Sequence, residues 1–435
     1  MYQYVENINL NQNPILYKNI NFNQNLNPNI KTEKFDFMKY LNLKNYINFD
    51  NYNIRDVCFY FLYNFILGSI LFLVVLYIYI KVKYKFWSQQ PVFHYYNIFY
   101  HINPCGIVEK KIPKINVKFY DFNLDFNSFD KLKNEEKMLI HCLINQHYLK
   151  EKKVRYSPKF EDIFCLFDKD SYFSLKYSLY GGLNGCITSR YLDFFINNKK
   201  YNINYVDFLC VKKNKRKKSI AESLIYTHYI KTRKESICPI SLFKREGKQN
   251  FIVPFVKYKC HIISIQGMLK YYNLKYHNPE IKYVLINTGN IKILYHYLNE
   301  IKKKFDYFIV PNLTNIYNQI KNKVLIVGFV LRYNIPICIY LFKNAKTFYK
   351  EQSSIECIGS YYTLNENYFI DGFLKIIKML SKKFQILLVE NISYNNIIID
   401  KILKNKKILW KVNMGYYFYN FITHNVNNNS VFILN

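Results

Sequence analysis

The stretch that decides the fold is DFLCVKKNKRKKSIAESLIY, residues 207–226. The residues directly after Asp207 form an apolar, partly β-branched run, which predicts a buried strand. Six of the seven residues at 212–218 are Lys or Arg, so positive charge is concentrated directly after that strand. Ser219 and Glu222 then form an S-x-x-E pattern, which predicts a capping box at the start of a helix. We therefore expect a strand, a basic turn and a helix in succession.

This succession predicts an anion site. The first N–H groups of a helix have no partner within the helix and lie at the positive end of its dipole. Bases next to such an end favour a phosphate group. A solvated lysine run or a localisation signal is the alternative, and Glu222 would compete with a bound phosphate. The flanking strand and helix favour the phosphate site.

The composition leaves several classes of partner open. The 435 residues carry a formal charge of +32, which suits nucleic acid, an anionic membrane or a phosphorylated ligand. Lysine is abundant along the whole chain together with Asn, Ile, Tyr and Phe, so charge alone is weak evidence. We expect no nucleic-acid partner. Ten cysteines without any CxxC pair or Cys/His cluster predict reduced thiols and no metal site.

One segment predicts a membrane span. Residues 57–80, VCFYFLYNFILGSILFLVVLYIYI, carry no charge and are long enough to cross a bilayer. A buried core helix is the rival interpretation. Lysines at 81, 83 and 85 follow at once, so we expect a membrane anchor with the remainder of the chain facing the cytoplasm. The Asn-rich segment 1–56 is expected to be a flexible polar tail.

Strand-like and helical runs alternate after the span, which predicts a mixed α/β fold. Residues 81–264 and residues 265–435 each contain strands and helices of their own. We therefore expect two α/β lobes with a boundary near residue 264.

Four segments together resemble one known family, the N-myristoyltransferases. YKFWSQQPV at 84–92 resembles the family's Y-K-F-W-x-T-Q-P-V, and VDFLCVKKNKRKKSIAESLI at 206–225 resembles V-N-F-L-C-V-H-K-x-L-R-S-K-R-x-A-P-x-L-I. HYLKEKKVRYSPKF at 147–160 resembles a segment that ends in Y-S-P-x-F, and GYYFYNFI at 415–422 resembles Y-Y-L-Y-N-W. All four segments follow in the family's order.

The resemblance implies a fold and an activity. The fold would be two tandem lobes of the acetyltransferase-like (GNAT) type, an acyl-CoA-binding lobe at 81–264 and a peptide-binding lobe at 265–435. The chain would transfer a tetradecanoyl (myristoyl) group from its CoA thioester to the N-terminal glycine amine of a protein or peptide. Tetradecanoyl-CoA would be a co-substrate, with no resident cofactor, and we expect a monomer.

The resemblance also implies the site. The backbone N–H groups of Phe208 and Leu209 would form an oxyanion hole, and the α-carboxylate of Asn435 would be the general base. The CoA thioester would be bound by Tyr84, Lys85, Phe86, Trp87, Val211, Arg216, Lys217, Lys218, Ser219 and Ala221. The acceptor peptide would be bound by Tyr156, Asp207, Asn391 and Tyr417.

The departures from the family lie on the peptide side. The family has an acidic tract where this chain has KEKK at 150–153, and Lys411 is nearest to the position of a family aspartate. A reversal of charge in a recognition groove repels basic peptides. Three readings therefore stay open: a myristoyltransferase with an altered peptide preference, a non-catalytic acyl-CoA-binding relative, and a GNAT-type acyltransferase with a different acceptor.

Overall fold

A computed structural model of the chain describes residues 54–149, 153–196, 199–236, 238–247, 251–272, 279–403 and 408–435. The described residues form a mixed α/β structure, which confirms the fold class expected from the sequence. The expected tail lies almost entirely outside these ranges, as do residues 150–152 of the KEKK segment. Contacts divide the chain into two compact units, one within residues 6–88 and one within residues 89–435.

The first unit contains one long helix, α1 (Ile54–Lys83). The part from Cys58 to Lys83 has a mean hydropathy of 2.4, and none of it is buried. Its length and composition fit the span expected at 57–80, since about 20 apolar residues cross a bilayer. A membrane anchor and a signal sequence share these properties, and the side of the membrane stays a prediction.

The second unit contains the remaining helices and strands. Its helices are α2 (Ile98–Ile102), α3 (Asn134–His147), α4 (Phe160–Phe164), α5 (Ile220–Glu235), α6 (Ile265–Leu269), α7 (Ile291–Lys302), α8 (Leu313–Lys321), α9 (Glu366–Leu380) and α10 (Asn395–Ile398). Its strands are β1 (Gly106–Ile107), β2 (Asp125–Ser128), β3 (Val154–Tyr156), β4 (Tyr172–Tyr177), β5 (Leu183–Ile196), β6 (Lys199–Val211), β7 (Ile240–Glu246), β8 (Val256–Ser264), β9 (Ile281–Leu285), β10 (Tyr307–Val310), β11 (Leu325–Arg332), β12 (Ile335–Tyr349), β13 (Gln352–Tyr362), β14 (Ile386–Glu390), β15 (Trp410–Tyr419), β16 (Phe421–Ile422) and β17 (Val431–Ile433).

Most of these strands belong to one sheet. Its main path runs β17-β10-β5-β6-β7-β15-β8-β14-β13-β12-β11-β9. Strand β4 joins β2 to β5, β3 pairs with β12, and β1 pairs with β16 in a separate two-stranded sheet. Most neighbours are antiparallel, but β6 and β7, β13 and β14, and β10 and β17 are parallel pairs. The strands of both expected lobes therefore share one sheet, and the lobe boundary near residue 264 stays a proposal.

Helix α9 shows how the helices cover this sheet. Phe369, Phe373 and Ile377 recur at every fourth position, and all three are fully buried. Because residues four apart lie on one face of a helix, this pattern buries one side of α9. Gly372 lies on the same side, and a Cβ atom there would collide with Val330 of β11. The absence of a side chain thus sets how closely α9 approaches the sheet.

Candidate functional site

The expected reactive residues lie at a β-bulge. Ile187 of β5 pairs with Leu209 of β6, and the next aligned pair is Ser189 with Val206. Only Thr188 on β5 therefore stands opposite both Asp207 and Phe208 on β6. Such a bulge interrupts the ladder and redirects the backbone groups beside it. The structure thus places the irregularity of this strand at the segment expected to face the thioester.

The Phe208 N–H group has a partner in this structure. It donates a hydrogen bond to the Thr188 hydroxyl, with an N to Oγ1 distance of 3.1 Å. Thr188 is fully buried. An oxyanion that approached Phe208 would have to replace this hydroxyl as the acceptor of the N–H.

Asp207, expected to bind the acceptor, forms a buried ion pair. Its Oδ2 accepts from the Arg190 Nε at 2.8 Å, and the two side chains are 4% and 1% exposed. The same guanidinium donates to Asn315 Oδ1 at 3.3 Å and lies over the Tyr205 ring, 5.4 Å from its centroid. Since a buried charge is costly without a partner, Arg190 explains how a carboxylate is kept at this position.

The end of the sequence lies close to this ion pair. Strand β17 pairs with β10, the Leu434 N–H donates to the Ile309 oxygen at 2.9 Å, and Asn435 is 3% exposed. The Lys343 Nζ donates to the main-chain oxygen of Asn435 at 3.4 Å. Burial lowers the pKa of Lys343, while the charge of Asp207 acts to raise it. Lys343 is therefore within electrostatic reach of both Asp207 and the chain end.

The basic turn differs from the expected capping box. Ser219 is the N-cap of α5, but its φ of 54° is left-handed and its side chain makes no capping hydrogen bond. The expectation of a Ser219 to Glu222 capping box is therefore wrong. Lys217 is also left-handed, with a φ of 61°. Left-handed residues that alternate with ordinary ones can turn successive N–H groups toward one point and form an anion-binding concavity.

The bases of the turn divide into two kinds. The Arg216 guanidinium donates to the Val211 oxygen at 3.2 Å and to the His147 oxygen at 2.6 Å, so it ties the turn to the end of α3. Lys217 and Lys218 are exposed beside the N-terminus of α5. Lys213 is exposed as well, at the start of the turn, whereas Lys217 and Lys218 directly precede Ser219 and α5. Inside the helix Leu224 and Ile225 are buried, as expected.

Other expected CoA-binding residues precede the second unit. Tyr84, Lys85, Phe86 and Trp87 belong to the first unit, beyond the end of α1. Phe86 is 2% exposed and contacts Trp87 edge to face, with ring centroids 5.1 Å apart. Ala221, in the second unit, lies in the first turn of α5.

The expected acceptor residues are not all at one place. Tyr156 lies near the bulge, because its ring centroid is 6.3 Å from that of Phe208. Asn391 donates its N–H to the Lys259 oxygen at 3.0 Å, and its side-chain oxygen is buried without a partner. Tyr417 is buried and stacks on Phe243 at 5.4 Å, and burial raises its pKa to about 12. Of the four expected acceptor residues, Asp207 is part of the bulge and Tyr156 lies beside it, while Asn391 and Tyr417 make these contacts with other strands.

A buried charge cluster in the same unit was not anticipated from the sequence. The Lys244 Nζ lies 2.9 Å from Glu356 Oε1 and 2.5 Å from Glu390 Oε1. The Tyr258 hydroxyl donates to the same Glu390 oxygen at 2.8 Å. Burial raises the pKa of Glu390 to about 8. Burial acts in the same direction on Glu356, but Lys244 outweighs it and lowers the pKa of that carboxyl.

This cluster continues to the chain end. Lys343 of β12 is the strand partner of Glu356 on β13, so Glu356 lies between Lys244 and Lys343 in the chain of charges. The signal in the sequence was a single charged residue within each apolar run, as in IYLFK for Lys343 and QILLVE for Glu390. Within the described ranges, no group of three or more His, Cys, Asp or Glu side chains is arranged to hold a metal ion.

Comparison with known proteins first defines the class of the fold. No family model matches the sequence, and no curated protein matches it. The fold does match solved structures, and it is that of the N-myristoyltransferases. The resemblance drawn from the four sequence segments is therefore confirmed at the level of the fold.

The particular matches are structures of the Saccharomyces cerevisiae enzyme. N-myristoyltransferase from that yeast with bound myristoyl-CoA matches at a TM-score of 0.62 and 14% identity, over 78% of this chain and 93% of that chain. A second structure with bound myristoyl-CoA also has a TM-score of 0.62, over 80% and 92% of the two chains. A third, with bound myristoyl-CoA and inhibitors, has a TM-score of 0.60 at 13% identity.

Proposed function

We propose that this protein is an acyltransferase that moves a tetradecanoyl group from its CoA thioester to the N-terminal glycine amine of a protein. The observation that carries the proposal is the bulge at Asp207 and Phe208, in a fold matched by an enzyme with bound myristoyl-CoA. Strand β6, which contains these two residues, ends at the basic turn. The chain end lies near the bulge through Lys343.

In the proposed step the glycine amine attacks the thioester carbonyl carbon. The new C–N bond forms as the C–S bond breaks, CoA departs as a thiolate, and the proton that leaves the nitrogen is finally passed to the CoA sulfur, which gives the thiol. The N–H groups of Phe208 and Leu209 would stabilise the oxyanion, a contribution of about 10² to 10³ in rate for each donor. The α-carboxylate of Asn435 would take the proton, a role worth about 10² to 10⁴.

The CoA phosphates would bind at the basic turn. Lys217, Lys218 and the N-terminal N–H groups of α5 would hold them, since anions are favoured at such an end. Arg216 would hold the turn in place through its hydrogen bonds to the Val211 and His147 oxygens. The two lysines supply the charge that outweighs Glu222 in the first turn.

A second function, acyl-CoA binding without transfer, is favoured by three contacts. The Phe208 N–H is donated to Thr188, Asp207 is neutralised by Arg190, and Lys343 holds the oxygen of Asn435. Each contact occupies a group that would have to contact the substrate during transfer. These contacts would have to open in a catalytic cycle, whereas a binding protein could keep them closed.

The test measures transfer and binding on the same preparation. The full chain, in detergent, is given labelled tetradecanoyl-CoA and N-terminal glycine peptides whose following residues run from acidic to basic. We expect product, with preference for neutral or acidic peptides because lysines occupy the family's acidic tract. The same peptides with an acetylated N-terminus serve as the control and should give none.

A variant extended by two glycines after Asn435 separates the roles. The extension moves the α-carboxylate, so transfer should be lost while tetradecanoyl-CoA affinity changes less than about twofold. Unchanged transfer by the extended chain would refute Asn435 as the base. Binding without product on any peptide would favour the non-catalytic function, and release of CoA to other amines would favour a different acceptor.

A further inference from the structure

The second unit has an exposed apolar surface close to its first residue. Its largest members are Phe99 at 82%, Ile102 at 75% and Ile98 at 69% exposed, on or next to α2. Val117 at 69% and Ile112 at 48% are further exposed apolar residues, on the loop that follows β1. We call these five residues the entry surface. Single exposed apolar residues are ordinary, but a group of this kind marks an interaction surface.

The entry surface flanks the point at which the chain enters this unit. The Asn116 side chain donates to Gln89 Oε1 at 3.3 Å, so the loop with Ile112 and Val117 lies beside residue 89. The Asn420 N–H donates to the Pro91 oxygen at 2.7 Å, and the Val108 N–H donates to the Asn420 oxygen at 3.4 Å. These bonds fix the incoming chain next to the loop that follows α2.

The charges beside the entry surface are positive. Lys110, Lys111, Lys114 and Lys118 are all exposed. The acid in the same segment, Glu109, accepts from the Tyr229 hydroxyl at 2.7 Å and is therefore engaged within the unit. Apolar side chains interleaved with lysines are typical of a surface that binds anionic lipid.

Chain length connects this surface to the candidate span. Five residues, 84–88, separate the last residue of α1 from Gln89. A chain of that length reaches at most about 20 Å, because an extended residue covers about 3.5 Å. A bilayer crossed by α1 is therefore within reach of the loop beside Gln89.

We propose that the entry surface binds the anionic face of the membrane that α1 crosses. Phe99, Ile98 and Ile102 insert among the lipid tails near the headgroups, and the lysines contact lipid phosphates and carboxylates. The binding is independent of acyl transfer, so it holds for a catalytic and for a non-catalytic protein.

The first test releases the second unit from its anchor. The full chain, with a protease site inserted between Lys83 and Tyr84, is reconstituted in phosphatidylcholine vesicles with about 30% phosphatidylserine and then cut. We expect the cut product to stay on the vesicles at low salt and to leave in about 0.5 M salt, where the charge attraction is screened. The proposal is overturned if the cut product, without any surface substitution, leaves the vesicles at low salt. It is also overturned if the cut product is retained equally on vesicles of phosphatidylcholine alone.

Matched variants identify the side chains responsible. Replacing Ile98, Phe99 and Ile102 by Ser should raise the released fraction about tenfold. Replacing Leu313, Tyr333 and Ile335 by Ser is the control, since these residues are 55%, 63% and 65% exposed elsewhere in the unit. Equal release by the two variants would refute the assignment to the entry surface.

A second measurement needs no cleavage. Phe99→Trp and Tyr333→Trp each place an indole at an exposed position, and the signal of the native tryptophans is subtracted. In vesicles with brominated acyl chains, we expect strong quenching of the indole at 99 and little at 333. Equal quenching at the two positions would overturn the proposal even if the triple variant failed to fold.

Discussion

Replacing Glu390 by Gln should stabilise the folded protein, and by more at higher pH. Glu390 is 1% exposed, and burial raises its pKa from an ordinary 4.5 to about 8. The folded state therefore holds a proton that the unfolded state releases above about pH 4.5. Gln is uncharged, and its side-chain oxygen can still accept from Tyr258 and Lys244, so it imitates the protonated acid.

The magnitude follows from proton linkage. A raised carboxyl pKa lowers stability as the pH rises from the unfolded to the folded value, at about 1.4 kcal/mol per pH unit. The advantage of Gln over Glu390 should thus be under 1 kcal/mol at pH 5, about 3 kcal/mol at pH 7, and constant at about 5 kcal/mol above pH 8. The window is set by the values of 4.5 and about 8 for this carboxyl.

The assay is denaturant unfolding of the full chain in detergent, followed by tyrosine and tryptophan fluorescence between pH 5 and pH 9. Glu351→Gln is the control, because that side chain is 80% exposed and its ion pair with Arg155 should contribute little. A Glu390→Gln advantage that does not change with pH would refute the reasoning. It would show that Lys244 keeps Glu390 ionised throughout this range.

Three further variants test the site. Thr188→Val removes the hydroxyl that accepts the Phe208 N–H. It should raise the rate of transfer about fivefold while lowering stability by about 1 to 3 kcal/mol. Loss of transfer in a folded variant would mean that transfer needs the hydroxyl itself. Lys217→Ala combined with Lys218→Ala should weaken tetradecanoyl-CoA binding about tenfold at low salt and less at high salt, with Lys213→Ala as the control, measured by titration calorimetry. Lys343→Met should lower stability by about 3 to 5 kcal/mol, because the buried oxygen of Asn435 loses the ammonium that donates to it. An unchanged unfolding midpoint would contradict this.

The local structure around residue 207 was largely predictable. The apolar run and the amphipathic stretch did become β6 and α5, with Leu224 and Ile225 buried. Those predictions depend on periodicity within a few residues, which a sequence shows directly. The prediction of a capping box was wrong because the S-x-x-E pattern specifies residue types and not backbone angles. The left-handed turn at Ser219 is decided by how the basic segment crosses from β6 to α5.

The pairing of buried charges was not predictable from the sequence. Lys244 and Glu356 are 112 residues apart, and Lys343 and Asn435 are 92 apart. The two members of each pair come from segments that approach one another only in the folded sheet. A charge within an apolar run shows that a partner is needed but does not show which residue supplies it. The bulge is equally hidden, because it depends on how β5 aligns with β6.

The bulge also determines where strand β6 can have changed in length. On the β5 side, Cys186, Arg190 and Leu192 stand opposite Cys210, Tyr205 and Ile203 of β6. Even-numbered residues of β5 therefore stand opposite an even-numbered residue of β6 on the Leu209 side of the bulge. On the Val206 side they stand opposite odd-numbered residues. Residues directly opposite each other in an antiparallel pair lie on the same face, so the extra residue lets Val206 and Leu209 lie on one face although they are three positions apart. A deletion of one residue at 207 or 208 would restore a regular ladder and leave the pairs on both sides of the bulge in place. A deletion elsewhere in β6 would turn the residues between it and the bulge to the opposite face. Homologues that lack the bulge should therefore have lost a residue at 207 or 208 and not at another position within β6.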